Sequence, residues 1–163
     1  MYFWRESMVN ARELVGSLRQ GVLRCRTGVL SLATPFFGTE AQIAAVLGVE
    51  YLDYRVRLQT LIPPDSSFVH LDLPRLIGDV DAIANSNTGE TCVLVANFDL
   101  ALARLATDDV RSLWRVLLTD FPHKTRALLF CVPSHAGASF CIPDTSLYSL
   151  WRESDRFAEW VQV

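Results

Sequence analysis

Apolar runs alternate with stretches of helical periodicity along this chain, and that alternation constrains the fold more than any other feature. Residues 28–33, 92–96 and 127–132 are apolar at almost every position, so each would be buried on both faces as a strand, and residues 49–54 are a further candidate. Strands of this kind occur in parallel sheets that are covered by helices. The sequence therefore predicts an α/β fold with a mainly parallel sheet of about four to five strands and helices on both faces, a three-layer sandwich.

Helices are predicted where apolar residues recur three and four positions apart. The stretches with this spacing are Phe3 to Arg19, Thr39 to Leu47, the segment after Asp72, Asp99 to Ala106, the segment after Thr107, and Asp144 to Trp160, with a helical turn from Arg55. We expect Asp72, Asp99 and Thr107 to cap the helices that they begin. Gly48 would end the second helix, because glycine readily takes the left-handed conformation found there.

The size and charge of the chain limit its class. Its 163 residues are enough for one domain, which we assign to residues 1–163. The net charge of −3 gives no general attraction to nucleic acid or to anionic membranes. No apolar run approaches the roughly 18 residues of a membrane helix, and the first residues lack the apolar stretch of a signal peptide. We therefore expect a cytoplasmic protein with no membrane contact.

The cysteines predict neither disulfides nor a metal centre. Cys25, Cys92, Cys131 and Cys141 have no C-x-x-C spacing, so we expect free thiols. Cys131, His135 and Cys141 surround the loop after the last predicted strand, where they could supply three zinc ligands or a Cys–His nucleophile pair. The zinc site would lack an adjacent fourth ligand, and the pair would lack an identifiable orienting group. We therefore assign no metal ligand and no catalytic residue.

The connection after the first strand has the length of a phosphate-binding loop, G-x-x-x-x-G-K-[ST]. Its eight residues are Ala33, Thr34, Pro35, Phe36, Phe37, Gly38, Thr39 and Glu40. Ala33 takes the position of the first glycine and Gly38 that of the second. Thr39 then stands where the lysine belongs, and Glu40 where the magnesium-binding hydroxyl belongs. The loop therefore has the frame of a phosphate site without its chemistry.

These replacements predict that triphosphate does not bind and that the protein uses no cofactor. The lysine of such loops neutralises the terminal phosphates, and the chain has a single lysine, Lys124, far away in the sequence. Glu40 places a carboxylate in the first helical turn, where backbone N–H groups would otherwise hold an anion. Phe36 and Phe37 are also too bulky for a backbone that must wrap around phosphate.

The end of the third strand supports the same interpretation. An ATPase needs an acidic residue there to hold magnesium and orient water. The residue directly after the four apolar positions is Ala96, and Asp99 follows three residues later. We therefore interpret Asp99 as a helix cap rather than a magnesium ligand.

The stretch from about Leu30 to Phe130 resembles the BrxF family, small P-loop proteins of BREX phage-defence systems, and more loosely the AAA-type ATPase core. The matching segments are residues 30–40, 49–53 and 93–100, with the long helix and apolar strand that follow. This resemblance implies a bacterial defence setting and action inside a multi-protein complex. The chain departs from the intact motifs at Ala33, Thr39, Glu40 and Ala96.

Several large or charged side chains are candidates for partner contacts. Phe36 and Phe37 lie on the loop, and Trp151 and Trp160 lie on the predicted last helix, where apolar groups can anchor a partner. Ordinary core packing is the alternative for each of these four. Arg12 and Arg19 could contact a nucleic-acid backbone or could simply form a solvated helix face.

These patterns predict a pseudo-ATPase, a non-catalytic P-loop-like subunit that acts through protein partners in an antiphage complex or as a homo-oligomer. Two alternatives stay open. One is an active AAA-type NTPase whose basic residue comes from an arginine or a neighbouring subunit. The other is a DNA-contacting accessory protein that uses the amino-terminal arginines.

Overall fold

The computed structural model describes residues 9–21, 23–67, 70–87, 89–121, 124–134, 142 and 145–161. Its centre is a five-stranded parallel sheet with the order β2-β3-β4-β1-β5. The strands are β1 (Thr27–Leu32), β2 (Glu50–Asp53), β3 (Cys92–Ala96), β4 (Ala127–Pro133) and β5 (Phe157–Glu159). In the centre of the sheet, Val29 of β1 pairs with Phe130 of β4 on one side and Phe157 of β5 on the other. The predicted parallel sheet is confirmed.

Within the described residues, seven helices cover the two faces of this sheet, which confirms the predicted three-layer sandwich. They are α1 (Ala11–Arg19), α2 (Glu40–Leu47), α3 (Tyr54–Thr60), α4 (Leu73–Asn85), α5 (Asp99–Leu102), α6 (Thr107–Arg115) and α7 (Thr145–Glu153). Helices α1 and α2 pack on one face, against Leu30 and Leu129. The other five pack on the opposite face, against Val29, Leu128 and Phe130. Side chains at alternate positions of a strand thus pack into two different cores, one on each face of the sheet, as in other parallel sheets covered by helices.

Helix α1 packs directly on β1 because β1 contains a glycine at the contact. The side chain of Asn10 accepts a hydrogen bond from the Glu13 N–H at 2.9 Å, and the Glu13 carboxylate accepts one from the Asn10 N–H, so the helix has a capping box. A methyl group on Gly28 would lie 3.2 Å from Leu14 and Leu18. The helix predicted from Phe3 is observed from Ala11, and residues 1–8 lie outside the described part.

The carboxyl-terminal segment corrects one prediction. The expected single helix from Asp144 to Trp160 is α7 followed by the short strand β5. The helix ends at Glu153, and Asp155 takes a left-handed φ of 57°. The next residues then alternate across the sheet, with Phe157 in one core and Ala158 in the other. Pairing with β1 overrides the local helical spacing, because it buries both side chains and satisfies the backbone.

The predicted caps have mixed outcomes. Asp72 caps α4, and its carboxylate accepts from the Arg75 N–H at 2.9 Å, as predicted. The predictions for Thr107 and Asp99 were wrong, because Ala106 and Phe98 occupy the cap positions and no side chain caps either helix. Gly48 ends α2 with φ 68°, as predicted.

Helix α6 continues into a wider helical turn at Val116–Asp120.

An arginine precedes each of three neighbouring strands, β4, β1 and β5, and is buried at the amino edge of the sheet. Arg26 donates to the Leu18 carbonyl at the end of α1, and Arg126 donates to the Ile83 carbonyl near the end of α4. Arg156 donates to Leu117 and Leu118 carbonyls in the turn after α6. These guanidinium groups satisfy carbonyls that helix ends leave without partners.

Two further observations concern the whole described part. Its three cysteines, Cys25, Cys92 and Cys131, are buried free thiols as predicted, whereas Cys141 lies outside it. None of the described helices combines the length and apolar character that crossing a membrane requires.

Candidate functional site

A cavity of about 330 Å³ opens at the carboxyl edge of the sheet. Its wall includes Leu32 at the end of β1, Asp53 at the end of β2, Asn97 after β3 and Cys131 in β4. The chain leaves β1 for α2 on one face, and leaves the neighbouring β4 for α7 on the other. Connections that part in this way open a crevice between adjacent parallel strands, which is where α/β proteins bind ligands.

The loop beside the cavity does not form a phosphate cradle. Thr34–Phe36 is a turn of 3₁₀ helix, in which the Phe36 N–H donates to the Ala33 carbonyl at 2.9 Å and the Phe37 N–H to Thr34 at 3.1 Å. The Thr39 N–H donates to the Phe36 carbonyl at 3.0 Å. A phosphate loop directs successive N–H groups outward at its ligand, whereas these three are already bonded inside the loop.

The two residues that replace the lysine and the hydroxyl of the motif also have local roles. The Thr39 hydroxyl donates to the Phe36 carbonyl at 2.5 Å, which stabilises the turn. Glu40 is the first residue of α2 and lines the cavity. A carboxylate at this position interacts favourably with the helix dipole and repels a second anion. Gly38 has φ 85°, a conformation that other residues rarely adopt.

Asp53 joins the ends of two neighbouring strands. Its carboxylate accepts from the Arg55 N–H at 2.9 Å and from the Asn97 side-chain amide at 2.8 Å. The Arg55 guanidinium is 3.4 Å from the same carboxylate, in an exposed ion pair. Asn97 has φ 58°, which asparagine tolerates better than most residues. The β2 and β3 ends are thereby fixed around the cavity.

Three carboxylates, those of Glu40, Asp53 and Asp99, act on the same space. Burial raises the pKa of the Tyr51 phenol, and the charges of Asp53 and Glu40 raise it further. Burial likewise raises the pKa of the Cys131 thiol, with further contributions from Glu40 and Asp99. Tyr51 and Cys131 belong to different strands, so two independent groups experience one negative field.

Little positive charge balances this field. Arg55 is the one basic residue among the described residues that line the cavity. Lys124 precedes β4 and therefore lies at the opposite edge of the parallel sheet, where its ammonium pairs with Asp81 at 2.5 Å. No lysine substitutes in space for the one that is missing from the loop.

The aromatic candidates have different surroundings. Phe37 is 40 % exposed and lines the cavity, whereas Phe36 is half-buried against the α1 and α2 core. Trp151 is fully buried, so core packing, the alternative given for it, applies, and it is not available as a surface anchor in this fold. Trp160 is partly buried and lines a separate groove of about 420 Å³, beside the start of α1.

The two arginine candidates also differ. Arg19 donates to the Gly48 carbonyl at the end of α2 and lies 4.0 Å from Glu90, so it connects two helices of the fold. Arg12 is exposed and lines the groove that contains Trp160. The structure thus gives Arg19 a local structural role and leaves Arg12 on the surface.

The residues considered for a metal site are only partly described. Within the described ranges, no group of three or more His, Cys, Asp and Glu residues is arranged to hold a metal ion. His135 and Cys141 lie outside those ranges, so the structure does not test the Cys131 combination, to which we assign no metal. Asp99 lines the cavity instead of capping its helix.

Sequence reasoning found the loop but missed three residues of the opposite wall, namely Tyr51, Asp53 and Asn97. It considered Cys131 only as part of a zinc or nucleophile combination. A signal for two of them existed, because Asp53 lies near the end of one predicted strand and Asn97 directly follows another, so both were expected at the carboxyl edge. The pairing of Asp53 with Asn97 depended on β2 and β3 being neighbours, which the sequence does not state.

Comparisons with known proteins give no family: no family model, no curated protein and no solved structure matches this chain.

Proposed function

We propose that this chain is a pseudo-ATPase, a nucleotide-independent domain that serves as an interaction or regulatory subunit of a bacterial multi-protein complex. The setting in antiphage defence rests on the resemblance of residues 30–130 to the BrxF family. The position of Glu40 is the observation on which the non-catalytic assignment depends. Its carboxylate begins α2 at the point where a triphosphate would need cations and free N–H groups.

Two features support the absence of nucleotide binding beyond Glu40. The loop N–H groups of Phe36, Phe37 and Thr39 already have acceptors within the loop. A triphosphate would have to break these bonds and approach Asp53 and Asp99 without a lysine to neutralise it. The loss of the loop hydrogen bonds and the repulsion by the carboxylates both oppose triphosphate binding. Arg55 is the one described cation at the cavity that could offset them.

The interaction role is supported by exposed aromatic side chains around the cavity. Phe37 and Tyr51 are each 40 % exposed, and both line the cavity. Aromatic residues at the rim of a concave site are frequent contributors to protein interfaces. A partner that enters the cavity would cover both of them.

Capture from the native cell tests this function. A tagged chain should retain a stoichiometric protein partner, and Phe37→Ser should lose it, whereas Leu150→Ser on the exposed side of α7 should retain it. The purified chain and the captured complex should both lack ATP turnover that depends on this chain. Turnover that disappears on altering Gly38 would contradict the proposal and favour the active NTPase.

A further inference from the structure

The cavity has the charge of a cation site. Its described lining contains the carboxylates of Glu40, Asp53 and Asp99 and one guanidinium, that of Arg55, a formal balance of two negative charges. These groups surround a concave space of about 330 Å³, the lower end of the range for small-molecule sites. Such a space concentrates a positive ligand, because low-dielectric walls focus the field.

The arrangement favours an organic cation over a metal ion. Among the described residues, these carboxylates are not grouped as metal ligands. A metal ion needs its oxygen ligands within about 2.0–2.6 Å of one point. A larger planar cation can donate separate hydrogen bonds to carboxylates that lie apart.

The floor and rim add two features that suit such a cation. The Cys131 thiol is 4 % exposed and lines the cavity. It stays neutral, so its sulfur can act as a weak acceptor for a ligand N–H group. At the rim, Phe37 and Tyr51 offer aromatic faces. Guanidinium groups stack on aromatic faces better than ammonium groups do.

We propose that this cavity binds a guanidinium group, placed between the carboxylates of Glu40 and Asp99 and against the rings of Phe37 and Tyr51. The group is carried either by a free small molecule or by an arginine side chain of a protein partner. This inference rests on the proposed function, since it assigns a ligand to a site from which triphosphate is excluded.

Titration followed by amide NMR shifts tests this site directly. The probes are methylguanidinium with methylammonium as its counterpart, and a capped Gly-Arg-Gly peptide with its Gly-Lys-Gly counterpart. We expect saturable shifts around Gly38 and Asn97 with the guanidinium probes, at roughly millimolar affinity or tighter, because a ligand of so few atoms can make only a few contacts. The lysine and ammonium probes should bind several-fold more weakly.

Charge-neutral variants provide the control. Glu40→Gln with Asp99→Asn should weaken guanidinium binding at least about tenfold, because charge-assisted hydrogen bonds are lost. Asp65→Asn with Glu153→Gln makes the same change in net charge at exposed positions outside the cavity and should leave the affinity unchanged. If the double variant does not fold, the guanidinium affinity of Glu40→Gln alone is measured instead, after its amide spectrum shows that it is folded.

The outcomes separate the possibilities. Binding of methylguanidinium without the arginine peptide would assign the site to a free small molecule, and binding of both would support a partner's arginine. No saturable binding by either, equal binding of the lysine probes, or full affinity in the cavity variants would overturn the inference. A parallel titration with ATP keeps it distinct from the proposed function, because ATP binding would contradict that function whatever the guanidinium result.

Discussion

At the residue scale, aromatic side chains make up the centre of the larger core. The ring of Phe98 lies 5.3 Å from that of Tyr54 and 4.7 Å from that of Phe130, measured between centroids. Trp151 contacts Trp114 edge to face at 5.8 Å. The Trp151 indole N–H is buried and has no hydrogen-bond partner in the described structure. The free-energy cost of burying this unbonded donor offsets part of the stabilisation that the ring provides by packing.

Truncation of Trp151 should be among the most destabilising changes in this protein. Trp151→Ala should lower the free energy of unfolding by about 3–5 kcal/mol, because it opens a cavity in the core. Trp151→Phe should cost less, since it also removes the unbonded N–H group. Urea unfolding measures both. Leu150→Ala, at a neighbouring side chain that is half exposed, should stay within about 0.5 kcal/mol, and equal losses at the two positions would contradict the buried placement.

Tyr54 makes stability fall at alkaline pH. Its hydroxyl donates to Asp79 at 2.7 Å, and burial followed by that hydrogen bond raises its pKa well above the ordinary 10.0. The unfolded chain releases this proton near its ordinary pKa, whereas the folded chain retains it. The stabilisation is therefore complete below about pH 10 and is lost as the pH rises toward the folded pKa.

The measurement is the free energy of unfolding at about pH 9 and about pH 11. Over this interval, the free energy of unfolding of the unsubstituted protein should fall more steeply than that of Tyr54→Phe. The difference should be up to about 1.4 kcal/mol per pH unit, the value for one proton. The variant removes the titration but keeps the ring in the core. Parallel pH dependence in the two proteins would show that Tyr54 ionises normally in the fold.

At the element scale, short-range signals were easier to predict than long-range ones. Asp72 before α4 and Gly48 after α2 follow from capping chemistry within one helical turn, and both are confirmed. Strand β5 depends on pairing with β1, more than a hundred residues earlier in the chain, so its helical spacing was misleading. The recurring arginine before a strand was visible in the sequence, but its acceptors are remote carbonyls.

Arg156 should not be replaceable by lysine. Its guanidinium donates to the Thr27 carbonyl at 2.8 Å, to the Thr27 hydroxyl, and to the carbonyls of Leu117 and Leu118. Burial lowers its pKa to about 10, so it stays charged at neutral pH. A lysine ammonium cannot reach these separated acceptors from one point.

The expected loss for Arg156→Lys is about 2 kcal/mol, because at least one buried carbonyl loses its donor. Arg115→Lys, at an exposed position on α6, should change stability by less than about 0.5 kcal/mol. Thermal or urea unfolding of the two variants gives the comparison. A tolerated Arg156→Lys would mean that these carbonyls have other donors.

At the scale of the whole molecule, the α/β architecture was predictable and the site only in part. The doubly buried strands β1, β3 and β4 have apolar runs that any parallel sheet would need, so the layers followed from local pattern. The degenerate loop was found by motif length. The convergence of Glu40, Asp53 and Asp99 required the strand order, which is set by packing across the whole sheet.

The most direct test of the account is an NMR titration of the labelled chain with ATP and magnesium. The account predicts that the amide signals of Gly38, Thr39 and Glu40 do not shift in a saturable way, because carboxylates surround the site and the loop N–H groups are bonded internally. Saturable shifts of these signals that report binding at cellular ATP concentration would contradict it.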